Sequence, residues 1–344
     1  MRRTPGGRTS QFAWLGALLA LAATITILPP ATGRAQQKRA DPEGLAAEPH
    51  TLQTEDGFNL RIKYYRSTLE KDAAVVVLLH MKDRNRFVWE PDNGFAKALQ
   101  SKGFAVITVD LRYHGESKVG GAAPAGTANQ GKTKGKKDSG LPLKIGDYQA
   151  MWEFDMEAVK KFIFEEHQAG RLNMNKMGIV GPEMGASIAV AFTVFDWNKE
   201  PFDDGQPGFQ TPRGQDVRAL VLISPEETFH GSGIKLPQLM PAIKDPGKQI
   251  AVLICSGNDL KEEAQAKKIF DMVNPPIVGN KEKDRLNSDR MYLAKPFPAK
   301  LTGTDLLDKQ LGIEKLMLNF FEKHLKNAPS VWRDRESKRK KVKK

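Results

Sequence analysis

With 344 residues, 40% of them hydrophobic, the chain can bury a sizeable core, and its length suits one large α/β domain or two small ones. Its formal charge of +12 does not amount to a nucleic-acid-reading face, because the positive residues gather at the ends and in one loop. A single cysteine, Cys255, excludes an intrachain disulfide and, lying in an apolar run, reads as a small core residue.

Residues 1–35 have the layout of a signal peptide. Arg2, Arg3 and Arg8 precede an apolar run over 12–28, and Gly33-Arg34-Ala35 offers small residues for cleavage before Gln36. Retention as an anchor is the alternative, since 17 residues is the lower limit for spanning a bilayer; no other stretch approaches that length. The mature chain is therefore expected to be exported, periplasmic or extracellular, with no transmembrane helix. Residues 36–49 read as a linker, and 59–66 as an early antiparallel strand with Leu60, Ile62 and Tyr64 alternating. The continuous apolar run 73–79 predicts a strand buried on both faces, followed by a helix over 93–101 and a second buried strand over 105–109. Residues 118–140 are Gly, Ala, Lys and Thr with scarcely a large apolar side chain, so a disordered insertion is expected. An amphipathic helix over 148–167 follows. Further strands are expected over 218–223, 249–255 and 291–294, with helices over 260–273 and 306–325. Strands alternating with helices predict a mostly parallel sheet covered on both faces, forming one α/β domain over 50–327 without a large cap. Residues 328–344, dominated by Lys and Arg, read as a solvated basic tail that could meet an anionic partner.

The most informative stretch is 177–192, MGIVGPEMGASIAVAF. A short apolar strand enters Gly181-Pro182-Glu183-Met184-Gly185, and an alanine-rich helix leaves it. Small residues on either side of one polar residue let a strand reverse sharply into a helix and present that side chain, which is the physical content of the Gly-x-Ser-x-Gly nucleophile elbow. Three further segments accompany it: Leu78-Leu79-His80, Asp110-Leu111-Arg112-Tyr113-His114-Gly115-Glu116-Ser117, and Ser256-Gly257-Asn258-Asp259. Together, in this order, they make the chain resemble the α/β-hydrolase superfamily, in its small esterase or dienelactone-hydrolase-like branch.

The resemblance implies a fold and a set of slots. The nucleophile slot holds Glu183, the acid slot Asp259, and the slot for the base, where relatives carry His-Gly, holds Thr302. No histidine lies between His230 and His324. The oxyanion loop would be His80-Met81 together with Met184, and Met81 stands where a small Gly is usual. His114 is expected to brace loops beside the site, and Asp155 and Glu157 to be solvated or capping. Asp203-Asp204 lacks the continuing acids of a calcium loop. No metal or cofactor is implied.

Two readings of Glu183 stay open: an ion pair with Lys82 or Arg84, or a solvated carboxylate, with Arg86 and Arg112 among the cations at the rim. Without a serine and a histidine the expected function is non-catalytic binding or scaffolding, with a small molecule in the residual pocket. The alternative is a hydrolase of small ester-like substrates using the Glu183 carboxylate.

Overall fold

The computed structural model describes residues 45–118, 142–274 and 289–338; the signal peptide, most of the expected linker and insertion, and residues 339–344 lie outside them. Eight strands form one sheet: β1 (Glu48–Gln53), β2 (Asn59–Tyr65), β3 (Ala74–Leu78), β4 (Ala105–Asp110), β5 (Asn173–Pro182), β6 (Val217–Ile223), β7 (Ala251–Cys255) and β8 (Met291–Leu293). Their spatial order is β1-β2-β4-β3-β5-β6-β7-β8. β1 and β2 run antiparallel to their neighbours, and every pair from β4–β3 to β7–β8 is parallel.

The continuous Val-rich runs are explained by burial on two sides. In β3, Val75 and Val77 enter one core cluster while Ala74, Val76 and Leu78 enter the other, because successive side chains alternate across the sheet. On the first face lie α3 (Met156–Gln168), α4 (Met184–Trp197), α5 (Leu236–Ile243) and α6 (Leu260–Val273). On the second lie α1 (Phe95–Ser101) and α7 (Ile313–Phe321). A short helix, α2 (Ile145–Ala150), runs through a π-turn, Met151–Asp155, into α3. Among the described residues no helix is long and apolar enough to cross a membrane.

Away from the elbow, the structure departs from the sequence expectations at four places. β1 begins inside the expected linker; its residues are alternately half-buried and exposed, the pattern of an edge strand with one face on the body. The expected closing helix over 306–325 is broken. A 3-10 turn, Gly303–Leu306, precedes α7, which starts after Gly312 at φ 83° and ends in a π-turn, Glu322–Lys326.

Asp155 is neither solvated nor a simple cap. It is fully buried, and its carboxylate accepts from Arg112 Nε at 3.0 Å and Nη2 at 2.7 Å. The first part of the basic tail is docked. Trp332 donates to the His167 carbonyl at 3.0 Å, and buried Arg335 pairs with Asp216 and donates to Asn175 Oδ1 at 2.8 Å. A basic run offers no sign that one of its arginines has a buried carboxylate waiting.

Candidate active site

β5 ends in Pro182, α4 starts at Met184, and Glu183 is the single residue between them, at φ 46° and ψ −107°. A non-glycine residue there carries strain of about 1–3 kcal/mol, held in place by surrounding structure. The holding contacts are Glu183 N–H to the Ile223 carbonyl at 2.9 Å, and the Ala186 and Ser187 amides donating to the Glu183 carbonyl at 2.9 and 3.3 Å. Gly185 is obligatory for a different reason: a Cβ there would lie 2.9 Å from the His80 carbonyl oxygen, so only glycine lets α4 approach the loop after β3.

The Glu183 carboxyl is held by Thr302, whose hydroxyl donates to Oε1 at 2.6 Å. The residue in the expected histidine slot is therefore the one that touches the elbow side chain. Its loop is brought in by the end of β7: Phe297 N–H donates to the Ser256 carbonyl at 2.9 Å and Asn258 N–H to the Ala299 carbonyl at 3.1 Å. Gly303 then lets the loop close over the elbow. Its φ is 52°, and a Cβ there would stand 2.6 Å from Met81 Sδ and 3.2 Å from Glu183 Oε1. Met81, 6% exposed, thus packs its thioether beside the carboxyl where the family pattern has a small residue.

No cation neutralises Glu183 among the described residues. The expected pairing with Lys82 or Arg84 is not formed: Arg84 Nη2 donates instead to Asp305 at 2.9 and 3.2 Å, and Lys82 makes no ion pair among the described residues. Arg86 is buried against Asp110, Glu90 and Glu116, and Arg112 against Asp56 and Asp155. Burial therefore pushes the Glu183 pKa above the ordinary glutamate value; the Thr302 hydroxyl pulls it down, and the charges of Glu226, Glu262 and Asp305 push it further up.

No histidine is hydrogen-bonded to Glu183 among the described residues. His80 is fully buried with both ring nitrogens engaged, Nδ1 with the Met81 carbonyl at 2.8 Å and Nε2 accepting from Leu111 N–H at 3.1 Å. Burial, then the neighbouring His114, holds its pKa well below the ordinary histidine value. His114 lies against that ring, centroids 4.8 Å apart and planes tilted by 52°, and bonds the Arg112 carbonyl at 2.9 Å, a bracing arrangement. His324 contacts Tyr292 at 3.0 Å on the second face.

Asp259 is not brought into the group. It is exposed and caps α6, accepting from Lys261 N–H at 3.0 Å. The inward carboxylate is Glu262, one turn on, which accepts from Ser224 Oγ at 3.1 Å and Gly257 N–H at 3.2 Å. Ser224 in turn accepts from Gly303 N–H at 2.9 Å, so a chain of bonds runs from α6 to the loop carrying Thr302. Ser224 and Glu262 were not singled out by sequence. The available signals were Ser224 ending an apolar strand and the Asn258-Asp259 pair opening a helix. The backbone N–H groups of Met81 and Met184, the latter in the residue next to Glu183, donate to no acceptor among the described residues. No cluster of three or more His, Cys, Asp or Glu that could hold a metal occurs among the described residues.

No family model matches the chain, and no curated protein matches it in sequence. Solved structures do match in fold. An acylaminoacyl peptidase of Pyrococcus horikoshii aligns at TM-score 0.52 and 13% identity over 86% of this chain and 44% of that one. A Pseudomonas aeruginosa protein described as hypothetical aligns at 0.51 and 12% over 82% and 95%, and an esterase of Pyrococcus furiosus at 0.50 and 14% over 81% and 92%. The fold is that of the α/β-hydrolases.

Proposed function

We propose that this chain is an exported α/β-hydrolase-fold protein whose elbow binds a ligand without efficient turnover. The observation that carries this reading is the Thr302–Glu183 hydrogen bond, 2.6 Å long, standing where a serine and its general base would have to meet. A hydroxyl donating to a carboxyl moves no proton onto or off a nucleophile, and loss of triad members costs about 10⁶-fold in a serine-protease precedent. The ligand class follows from the donors and acceptors present. The amides of Met81 and Met184 offer donors to a carbonyl or carboxyl oxygen, and the Glu183 carboxyl, of raised pKa, takes part as donor when protonated and as acceptor when not. An uncharged acyl compound fits this better than an anion, which would add to the negative field of Glu226, Glu262 and Asp305. Residues 339–344, nearly all basic, are proposed as a salt-sensitive contact for anionic polymer or lipid.

A second reading is favoured by the elbow geometry itself. The strained φ of 46° at Glu183 and the neighbouring free amides are what a carboxylate nucleophile would need for attack on a small ester. Some α/β-hydrolase relatives use Asp in this way, but with a histidine to release the product. A panel of short p-nitrophenyl esters separates the two. The binding reading expects rates at the uncatalysed background. Turnover abolished by Glu183→Ala and kept in the exposed control Asp92→Ala would establish the hydrolase instead.

A further inference from the structure

A cavity of about 390 Å³ lies away from the elbow, between α2, the π-turn, the C-terminal half of α4 and the start of α5. Its α4 wall begins at Ala191, about 10 Å along the helix from Met184, and runs to Asn198, about 21 Å along. The volume falls in the ~300–1,000 Å³ range of small-molecule sites. Trp152 and Phe195 make one wall, edge to face at a centroid distance of 5.4 Å, and Val194, Ile234 and Leu239 extend it. These side chains form a continuous apolar surface that ends at Ile145, 62% exposed. The π-turn contributes directly. Its wider turn carries Trp152 to the cavity while Asp155, three residues on, points inward to Arg112.

The polar groups at this cavity have one sign. Lys235 is exposed and makes no ion pair among the described residues; Gln149, Asn198, Ser232 and Gln238 are neutral, and no carboxylate lines the space. The amide of Gln149 is already held by Glu153 at 3.0 Å, which leaves Lys235 as the strongest unused donor. The chain's own segment 119–141 is a poor filler, since Val119 and Leu141 are its only large aliphatic or aromatic residues.

We propose that this cavity binds a medium-chain monocarboxylate, with the acyl chain against Trp152, Phe195 and Leu239 and the carboxylate at Lys235. The site is independent of the elbow and of what the elbow does. It also differs in chemistry: an apolar slot with a cationic rim, where the elbow is an acid among acids.

The test is titration of the full chain with octanoate, 1-octanol and octylammonium, followed by tryptophan fluorescence and calorimetry. Octanoate is expected to bind saturably, 1-octanol about threefold more weakly, and octylammonium more weakly still. Lys235→Gln should bring octanoate to the level of 1-octanol, and the exposed control Asp92→Ala should change nothing. Val194→Trp should fill the cavity, and Gln238→Trp should block it from the exposed rim without disturbing the core; each should abolish binding. Absence of saturable octanoate binding, octylammonium binding as tightly as octanoate, or octanoate binding that survives both tryptophan variants would overturn the proposal.

Discussion

Arg335→Ala should destabilise the whole domain although only nine residues follow it in the sequence. The residue is 5% exposed, and its guanidinium makes an ion pair with Asp216, which also takes Lys160 at 2.9 Å. It further donates to Asn175 Oδ1 at 2.8 Å and to the carbonyls of Pro212 and Gly214 at 3.1 and 3.2 Å. Removing it leaves a buried carboxylate half-compensated and buried acceptors without donors, a loss of about 3–5 kcal/mol. For a domain of this size that corresponds to a Tm lower by about 10 °C.

Burial alone would raise the pKa of Asp216, but Lys160 and Arg335 overcome it and hold it below the ordinary value. The stabilisation is therefore present above the unfolded-state pKa and lost as pH falls through the folded-state one, so the gap between variant and wild type should narrow in acid. Thermal unfolding by circular dichroism at neutral and acid pH reads both effects, with exposed Arg333→Ala as the near-neutral control. A Tm change below about 2 °C for Arg335→Ala would mean that residues 328–338 do not dock in solution.

Gly303→Ala should cost about 1–3 kcal/mol, because it forces a positive φ on alanine and drives a Cβ toward Met81 Sδ; a chemical-denaturation midpoint unchanged from wild type would contradict the packing described. Cys255 is buried in β7 and its thiol is pushed up to about 12 by burial, so it should resist an aromatic disulfide reagent at pH 8 until denaturant is added; prompt labelling of the native protein would refute this. Glu183→Gln should raise Tm at pH 8 and leave it unchanged near pH 3. An acid with a raised folded-state pKa contributes stability that is complete below its unfolded pKa and lost as pH rises through the folded one. Equal Tm shifts at both pH values would remove that account.

The central strands and the elbow were legible because their signals are local. Buried parallel strands read as unbroken Val, Ile and Leu runs, and Gly181 and Gly185 bracket the turn whatever residue stands between them. What was not legible depended on distant partners or on competition between local roles. β1 is a polar edge strand whose pairing with β2 is set by register, not by hydrophobicity. The Leu-rich pattern around 306–325 runs straight through Gly312, so periodicity alone could not show that the chain breaks there.

Asp259 matches the acid slot in sequence, yet an aspartate opening a helix is also the residue best suited to cap it, and capping is what it does here. Glu262, in the first turn of the same helix, faces Ser224 instead. The expected ion pair at Glu183 failed for a similar reason. Each nearby arginine has a carboxylate of its own, and only the tertiary structure assigns them.

Glu183 is a carboxyl held by a hydroxyl, with no imidazole or cation bonded to it among the described residues. A carbon-13 NMR titration of the glutamate side chains, assigned through Glu183→Gln, reads this directly. The expected result is a Glu183 pKa above the ordinary glutamate value that rises further in Thr302→Val. A pKa at or below the ordinary value, or one unmoved by Thr302→Val, would mean that another charge governs the site.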